Sequence, residues 1–121
     1  INHDCMCPYC YSSRGNKQIK FILDKHKVNY ITEKRFKNCK FHRSLPFDFY
    51  LPDYNLLIEF DGIQHYEIVE YFGGYENFID TKIRDTVKNI YCKDNNINLL
   101  RIPYWDYKNI EDILVNYFNQ E

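Results

Sequence analysis

Three carboxylates stand in stretches that are otherwise apolar. Asp48 lies in the run LPFDFYL (45–51), and Glu59 and Asp61 lie in LLIEFD (56–61), with Gly62, Ile63, Gln64 and His65 directly behind them. Both runs alternate as strands do, so residues two apart share a face. Phe47, Phe49 and Leu51 are expected on one side, with Asp48 and Tyr50 on the other. Leu57, Glu59 and Asp61 share a face of the second run. Only Pro52-Asp53-Tyr54-Asn55 separates the runs, which reads as a turn joining a hairpin. Pairing would let the three carboxylates converge. Like charges brought together raise one another's pKa and cost stability unless a cation stands between them. A hard divalent ion such as Mg²⁺ or Mn²⁺ takes oxygen ligands and removes that cost. It can also acidify a water and stabilise charge building on a phosphate. His65, of a type whose ordinary pKa is about 6.5, can protonate a leaving oxygen or order a water. The alternative is a solvated strand face with a hairpin-end histidine. The Gln64-His65 cluster and the scarcity of other polar residues in the two strands weigh against it.

A second group of chemistry-bearing residues is cysteine. The five are Cys5, Cys7, Cys10, Cys39 and Cys92. An odd number with tight spacing at one end does not read as a secreted disulfide scaffold, but as metal binding in a reducing, intracellular compartment. Cys7-Pro8-Tyr9-Cys10 is half of a zinc site, because two thiolates three apart can grip one ion. Cys39 and His42 form a C-x₂-H pair that can complete a structural Zn²⁺ site, with His3 and Cys5 also available. A truncated knuckle, or incidental use, is the competing reading. Cys92 reads as a buried thiol in an apolar helix.

The elements that must position these residues follow from periodicity. Residues 1–15 read as a knuckle rather than a regular element. Asn16 is placed to cap a short helix over 16–27, with Ile19, Ile22 and Leu23 as its apolar stripe. A strand is predicted over 28–32 and a basic, turn-rich connector over 33–43. After the hairpin, Gly73-Gly74 marks a bend. Phe78, Ile79, Ile83, Val87 and Ile90 then recur at helical spacing over 75–96, putting Asp85 and Lys88 on one face or its edge. A central strand (97–104) and a closing helix (109–118) complete an α/β layer structure with a small mixed sheet and flanking helices.

The chain's 121 residues suffice for one compact domain. Its composition is globular, with 45% hydrophobic and 27% charged residues and only 4 Gly and 4 Pro, which excludes disordered and repeat classes. No run is long enough to span a membrane and no secretory leader is visible, so no membrane partner is expected. The first residue is Ile, which points to a piece of a longer chain. The net charge of −1 hides a split: residues 1–47 carry 10 Lys/Arg against 3 Asp/Glu, and the remainder 6 against 14. Lys17, Lys20, Lys34, Arg35, Lys37, Lys40 and Arg43 all precede the acidic hairpin and can hold the phosphates of DNA. Tyr50, Tyr66, Tyr71 and Phe72 can stack on a base.

The run LPFDFYLPDYNLLIEFDGIQHY (45–66) resembles the PD-(D/E)XK nuclease superfamily, and within it the very-short-patch-repair type, a core shared by phage, giant-virus and homing endonuclease proteins. The likeness covers most of residues 13–104, including KNIYCKDNNINLLRIPY. It implies a restriction-endonuclease-like core over 15–121, preceded by a partial zinc knuckle over 1–14. It implies that Asp48 and Glu59, helped by the Phe60 carbonyl, ligate a catalytic Mg²⁺ or Mn²⁺ for DNA hydrolysis. His65 or Gln64 would take the role of the histidine that follows the glycine in the repair-type enzymes. Two positions depart from the pattern. The superfamily lysine falls on Asp61, which must then act as a further ligand or base, unless Lys88 or Lys82 on the long helix supplies the cation. Where related proteins open the first helix with Gly-Glu, this chain has Gly15-Asn16. The resulting expectation is a metal-dependent endodeoxyribonuclease, working as a homodimer or with additional domains of a longer chain. The alternatives are a weakened nuclease-fold module that binds nucleic acid, and a zinc-knuckle interaction domain.

Overall fold

A computed structural model describes the backbone of residues 8–70 and 73–120, with side chains from Ser13 onward within those ranges. Helix α1 (Pro8–Lys25) leads into strands β1 (Ile31–Phe41), β2 (Arg43–Leu51) and β3 (Leu56–Asp61). Helix α2 (Gly74–Asp94), strand β4 (Asn98–Pro103) and helix α3 (Ile110–Phe118) follow, with short 3₁₀ turns at 52–54, 63–65 and 104–109. The sheet order is β1-β2-β3-β4. β1–β2 and β2–β3 are antiparallel, and β3–β4 is parallel across the α2 crossover. The expected small mixed sheet with flanking helices is therefore present. No described helix is long and apolar enough to cross a membrane.

The sheet separates two cores. Ile19, Ile22 and Leu23 of α1 and Ile110 and Leu114 of α3 pack on Phe49, Leu51, Leu56, Ile58, Phe60 and Ile102. On the other face, Cys92 of α2 packs on Cys39, Phe47 and Leu57, with Phe36, Val87, Tyr91 and Leu99 around them. Gly15 sets how closely α1 approaches the sheet, because a Cβ there would lie 2.3 Å from the Phe60 ring.

Three expectations need correction. Residues 8–15 are the first turns of α1 and not a knuckle, so Asn16 is an interior helix residue rather than a cap, and the boundary at 14/15 falls inside the helix. The supposed connector 33–43 is most of an eleven-residue strand, joined to β2 through His42 in the left-handed region (φ 70°). It escaped detection because β1 is a lysine-rich edge strand with Cys39 as its sole buried residue, which leaves no alternation to read. Phe47 and Phe49 do not share a core: Phe47 joins the α2 side and Phe49 the α1 side. The residues offered as a zinc pair, Cys39 and His42, stand in different surroundings. Cys39 is fully buried, and burial pushes its thiol pKa up. His42 is exposed, with its ring against Phe41. Cys7 and the Cys10 side chain lie outside the described residues, as do Tyr71 and Phe72.

Candidate functional site

Asp48 and Glu59 meet where two strands part. The β2–β3 ladder runs from Leu51–Leu56 to Phe49–Ile58 and stops. Beyond it the side chains take over. Glu59 Oε2 accepts the Asp48 N–H at 2.7 Å, and Asp48 Oδ2 accepts the Phe60 N–H at 2.9 Å. Each carboxylate thus satisfies a main-chain donor that the ladder no longer pairs. Burial, and then the Glu59 charge, push the Asp48 carboxyl up to about 7 against the opposing pull of the Phe60 N–H and Lys88.

Lys88 of α2 completes the group. It is 8% exposed, and its ammonium donates to Glu59 Oε1 at 2.9 Å while standing 5.0 Å over the Phe47 ring. A surface lysine is thereby excluded. Lys82, the other helix candidate, is exposed and lies over the rings of Tyr66 and Phe78 instead.

Two clefts flank the carboxylates. One, of ≈ 460 Å³, is lined by Asp48 together with Ser13, Asn16, Lys17, Lys20, Thr32 and Pro46. The other, of ≈ 290 Å³, is lined by Glu59, Pro46, Gln64, His65, Thr81, Arg84, Asp85 and Lys88. Each contains one buried amide oxygen with no hydrogen-bond partner: Asn16 Oδ1 in the first and Gln64 Oε1 in the second. An unsatisfied buried acceptor costs about 1–3 kcal/mol, so both call for a donor or a cation.

No group of three or more His, Cys, Asp or Glu among the described residues is arranged to hold a metal ion. The oxygen donors are the Asp48 and Glu59 carboxylates, with the Asn16 amide oxygen in one cleft and the Gln64 amide oxygen in the other. The two carboxylates fit Mg²⁺ or Mn²⁺, because Mg²⁺ typically takes one or two carboxylates and keeps several waters. They do not fit zinc, which prefers thiolate and imidazole.

Asp61 is occupied elsewhere. Both its oxygens accept from Arg101 Nη1, at 3.0 and 3.1 Å. Arg101 also lies 3.6 Å from Asp85 Oδ1, and its Nε donates to Asn89. His65 Nδ1 is 2.9 Å from Asp85 Oδ2 and 3.7 Å from Asp61 Oδ1. Burial alone would raise the Asp85 pKa, but the His65 hydrogen bond and the nearby His65, Arg101 and Lys88 charges outweigh it and hold it low. The Asp61 carboxylate is therefore neutralised by an arginine from β4. Arg101 is the residue that sequence reasoning missed, while Asp85 was placed on the helix face with Lys88 but given no part in the site. The signal for Arg101 was available, since it is the lone charge in the apolar run INLLRIPY, as Asp48 is in its own strand. Its register opposite Glu59 was not.

Of the predicted phosphate contacts, Lys17 and Lys20 line the Asp48 cleft. Lys34, Arg35, Lys37 and Lys40 lie along β1 and Arg43 opens β2, and none of them lines either cleft. Lys34 lies over the rings of Phe36 and Tyr50, and Arg35 bonds Ser44.

No known protein family matches the chain, and no solved structure is similar to it. Two viral proteins are similar in sequence. Uncharacterized protein 307L of Invertebrate iridescent virus 6 is 37% identical over 81 residues, covering 66% of this chain and 40% of that protein. Uncharacterized protein 094L of Frog virus 3 (isolate Goorha) is 34% identical over 94 residues, covering 69% of this chain and 60% of that protein. The chain thus spans less than two thirds of the length of either relative.

Proposed function

We propose that the chain is a metal-dependent endodeoxyribonuclease domain with a PD-(D/E)XK-type core, in which Asp48, Glu59 and Lys88 form the hydrolytic centre. The observation that carries this reading is the Lys88 ammonium, 2.9 Å from Glu59 and beside the Asp48–Glu59 pair, despite the aspartate at position 61. A buried lysine against one buried and one half-buried carboxylate is costly to fold around, and a carboxyl raised as Asp48 is, lining a cleft, supports a functional site. Mg²⁺ or Mn²⁺ held by Asp48, Glu59 and the Phe60 carbonyl would supply positive charge to the phosphate and a more acidic water.

The chain's own residues do the rest. Lys17 and Lys20 bind phosphates along the first cleft. Lys88 has two ammonium protons beyond the one given to Glu59, enough to orient a water or steady charge on a phosphate oxygen. Gln64 offers an unpartnered oxygen to the same water. His65, held by Asp85, stands ready to protonate the leaving oxygen. Arg101 keeps Asp61 from adding uncompensated charge to the site.

The test is cleavage of supercoiled plasmid, mismatched duplex, branched DNA and single strands with Mg²⁺ or Mn²⁺. Cutting should require the ion and fall about a hundred- to a thousand-fold in Asp48→Ala, Glu59→Ala and Lys88→Ala, the scale on which a charge-stabilising group acts. Folded protein that binds DNA but cuts nothing would instead make this a binding module. Cutting that survives Lys88→Ala would remove the lysine from the mechanism.

A further inference from the structure

Next to the second cleft lies a cluster of rings that the hydrolytic centre does not use. Tyr66 follows His65 directly in the chain. Its ring centroid is 4.7 Å from Trp105 and 6.0 Å from Tyr104, and Tyr104 and Trp105 are 5.2 Å apart. Tyr104 packs on the α1-side core, which anchors the cluster. Trp105 is 60% exposed and Tyr66 38%. A tryptophan on the surface, braced by two tyrosines, leaves a large rigid π-face without a partner among the described residues.

Charge narrows what can cover it. The Lys82 ammonium stands 5.6 Å from the Tyr66 ring, and Arg84, two residues further along α2, lines the second cleft. A cation beside a ring face suits a ligand that is both flat and anionic. A nucleotide is such a ligand: the base stacks on the ring and the phosphate meets the ammonium. Only an unpaired base offers its face in this way, because in an intact duplex both faces are covered by neighbouring bases.

We propose that Tyr66, Tyr104 and Trp105 form a stacking platform for an unpaired nucleobase, which sets single-stranded or locally unpaired nucleic acid as the preferred substrate of the adjacent centre. This deepens the nuclease reading and rests on it for the identity of the ligand.

Trp105 is the sole tryptophan in the sequence, so its emission reports on this spot alone. The full chain is titrated with oligo-dT single strand, with blunt duplex of equal length, and with duplex carrying one unpaired thymine, in Ca²⁺ and again in EDTA. The expected result is quenching by the single strand and the unpaired-base duplex, and little by the blunt duplex. Trp105→Ala should weaken single-strand binding about ten-fold or more, Tyr66→Leu should do so with Trp105 still in place to report, and Trp105→Phe should largely restore affinity. Equal quenching by blunt duplex, or tight single-strand binding with unchanged emission and unaffected variants, would overturn the platform while leaving the nuclease reading standing. Emission that changes with protein concentration in the absence of DNA would assign the patch to self-association and overturn it too. Conversely, selective quenching without cleavage on any substrate would keep the platform and remove the nuclease reading.

Discussion

The two faces of the sheet differ in kind. The α1/α3 face buries eleven residues, all apolar. The α2 face buries a core of four, two of them cysteines, and shares its side of the molecule with the buried polar residues Glu59, Asp61, Thr81 and Lys88. Burial of apolar surface is worth roughly 25 cal/mol per Å² and requires no partner, so the first face supplies stability. The second holds charges that are satisfied by one another. Each satisfied charge there costs desolvation that the first face must offset. The candidate site is thus attached to a scaffold stabilised from the opposite side.

The largest expected effect breaks the second face. Lys88→Ala leaves Glu59 as an unpaired buried charge and should lower stability by about 3–5 kcal/mol by urea denaturation. Glu59→Gln combined with Lys88→Met removes both charges, keeps similar volume and should return stability to wild-type level or above. If the double variant is as unstable as the single one, the two faces do not divide labour in this way.

Next in size is Leu114→Ala on the first face. It opens a cavity among Ile19, Ile22 and Ile110 and should cost about 2–5 kcal/mol. Metal-dependent cutting per folded molecule should stay within about two-fold, because no cleft residue moves more than packing relaxation allows. A large loss of rate at constant folded fraction would show that the faces are coupled.

The smallest effect at any single step of condition is a pH slope. Asp48 is pushed from its ordinary 3.8 to about 7, so folding favours its neutral form. Its contribution is complete below pH 3.8 and lost as pH rises towards 7, at no more than about 1.4 kcal/mol per pH unit. Asp85 has the opposite sign: held low, it stabilises above the ordinary carboxylate value and loses that contribution as pH falls through its folded pKa. In EDTA, Asp48→Asn should flatten the decline between pH 4 and 7 in thermal melts and leave the acid limb due to Asp85. At neutral pH, added Mg²⁺ should raise the melting temperature of the wild type and not of Asp48→Asn.

Legibility followed the same division. Alternation and spacing located the hairpin, the long helix with Asp85 and Lys88 on one side, the last strand and the closing helix, although the long helix buries Thr81, Lys88 and Cys92 and leaves Ile79, Ile83 and Ile90 of the expected stripe exposed. They failed for β1, whose exposed lysines carry no period, and for α1, whose first turns hold Cys10 and Ser12-Ser13 rather than an apolar stripe. At the site, Asp48, Glu59, Gln64 and His65 stood out as polar residues in or beside apolar strands. Asp61 stood out equally, yet its partner could not be read.

The order of types along the chain determined that two carboxylates would face each other across a hairpin, since strand periodicity and a four-residue turn leave little choice of register. Only the tertiary structure decided which cation answers each charge. Lys88 comes to Glu59 from 29 residues away, and Arg101 to Asp61 from 40. Such pairings depend on how α2 crosses from β3 to β4 and on where β2 and β3 separate. Side-chain electrostatics acts through space, while periodicity records only what lies within a few residues along the chain.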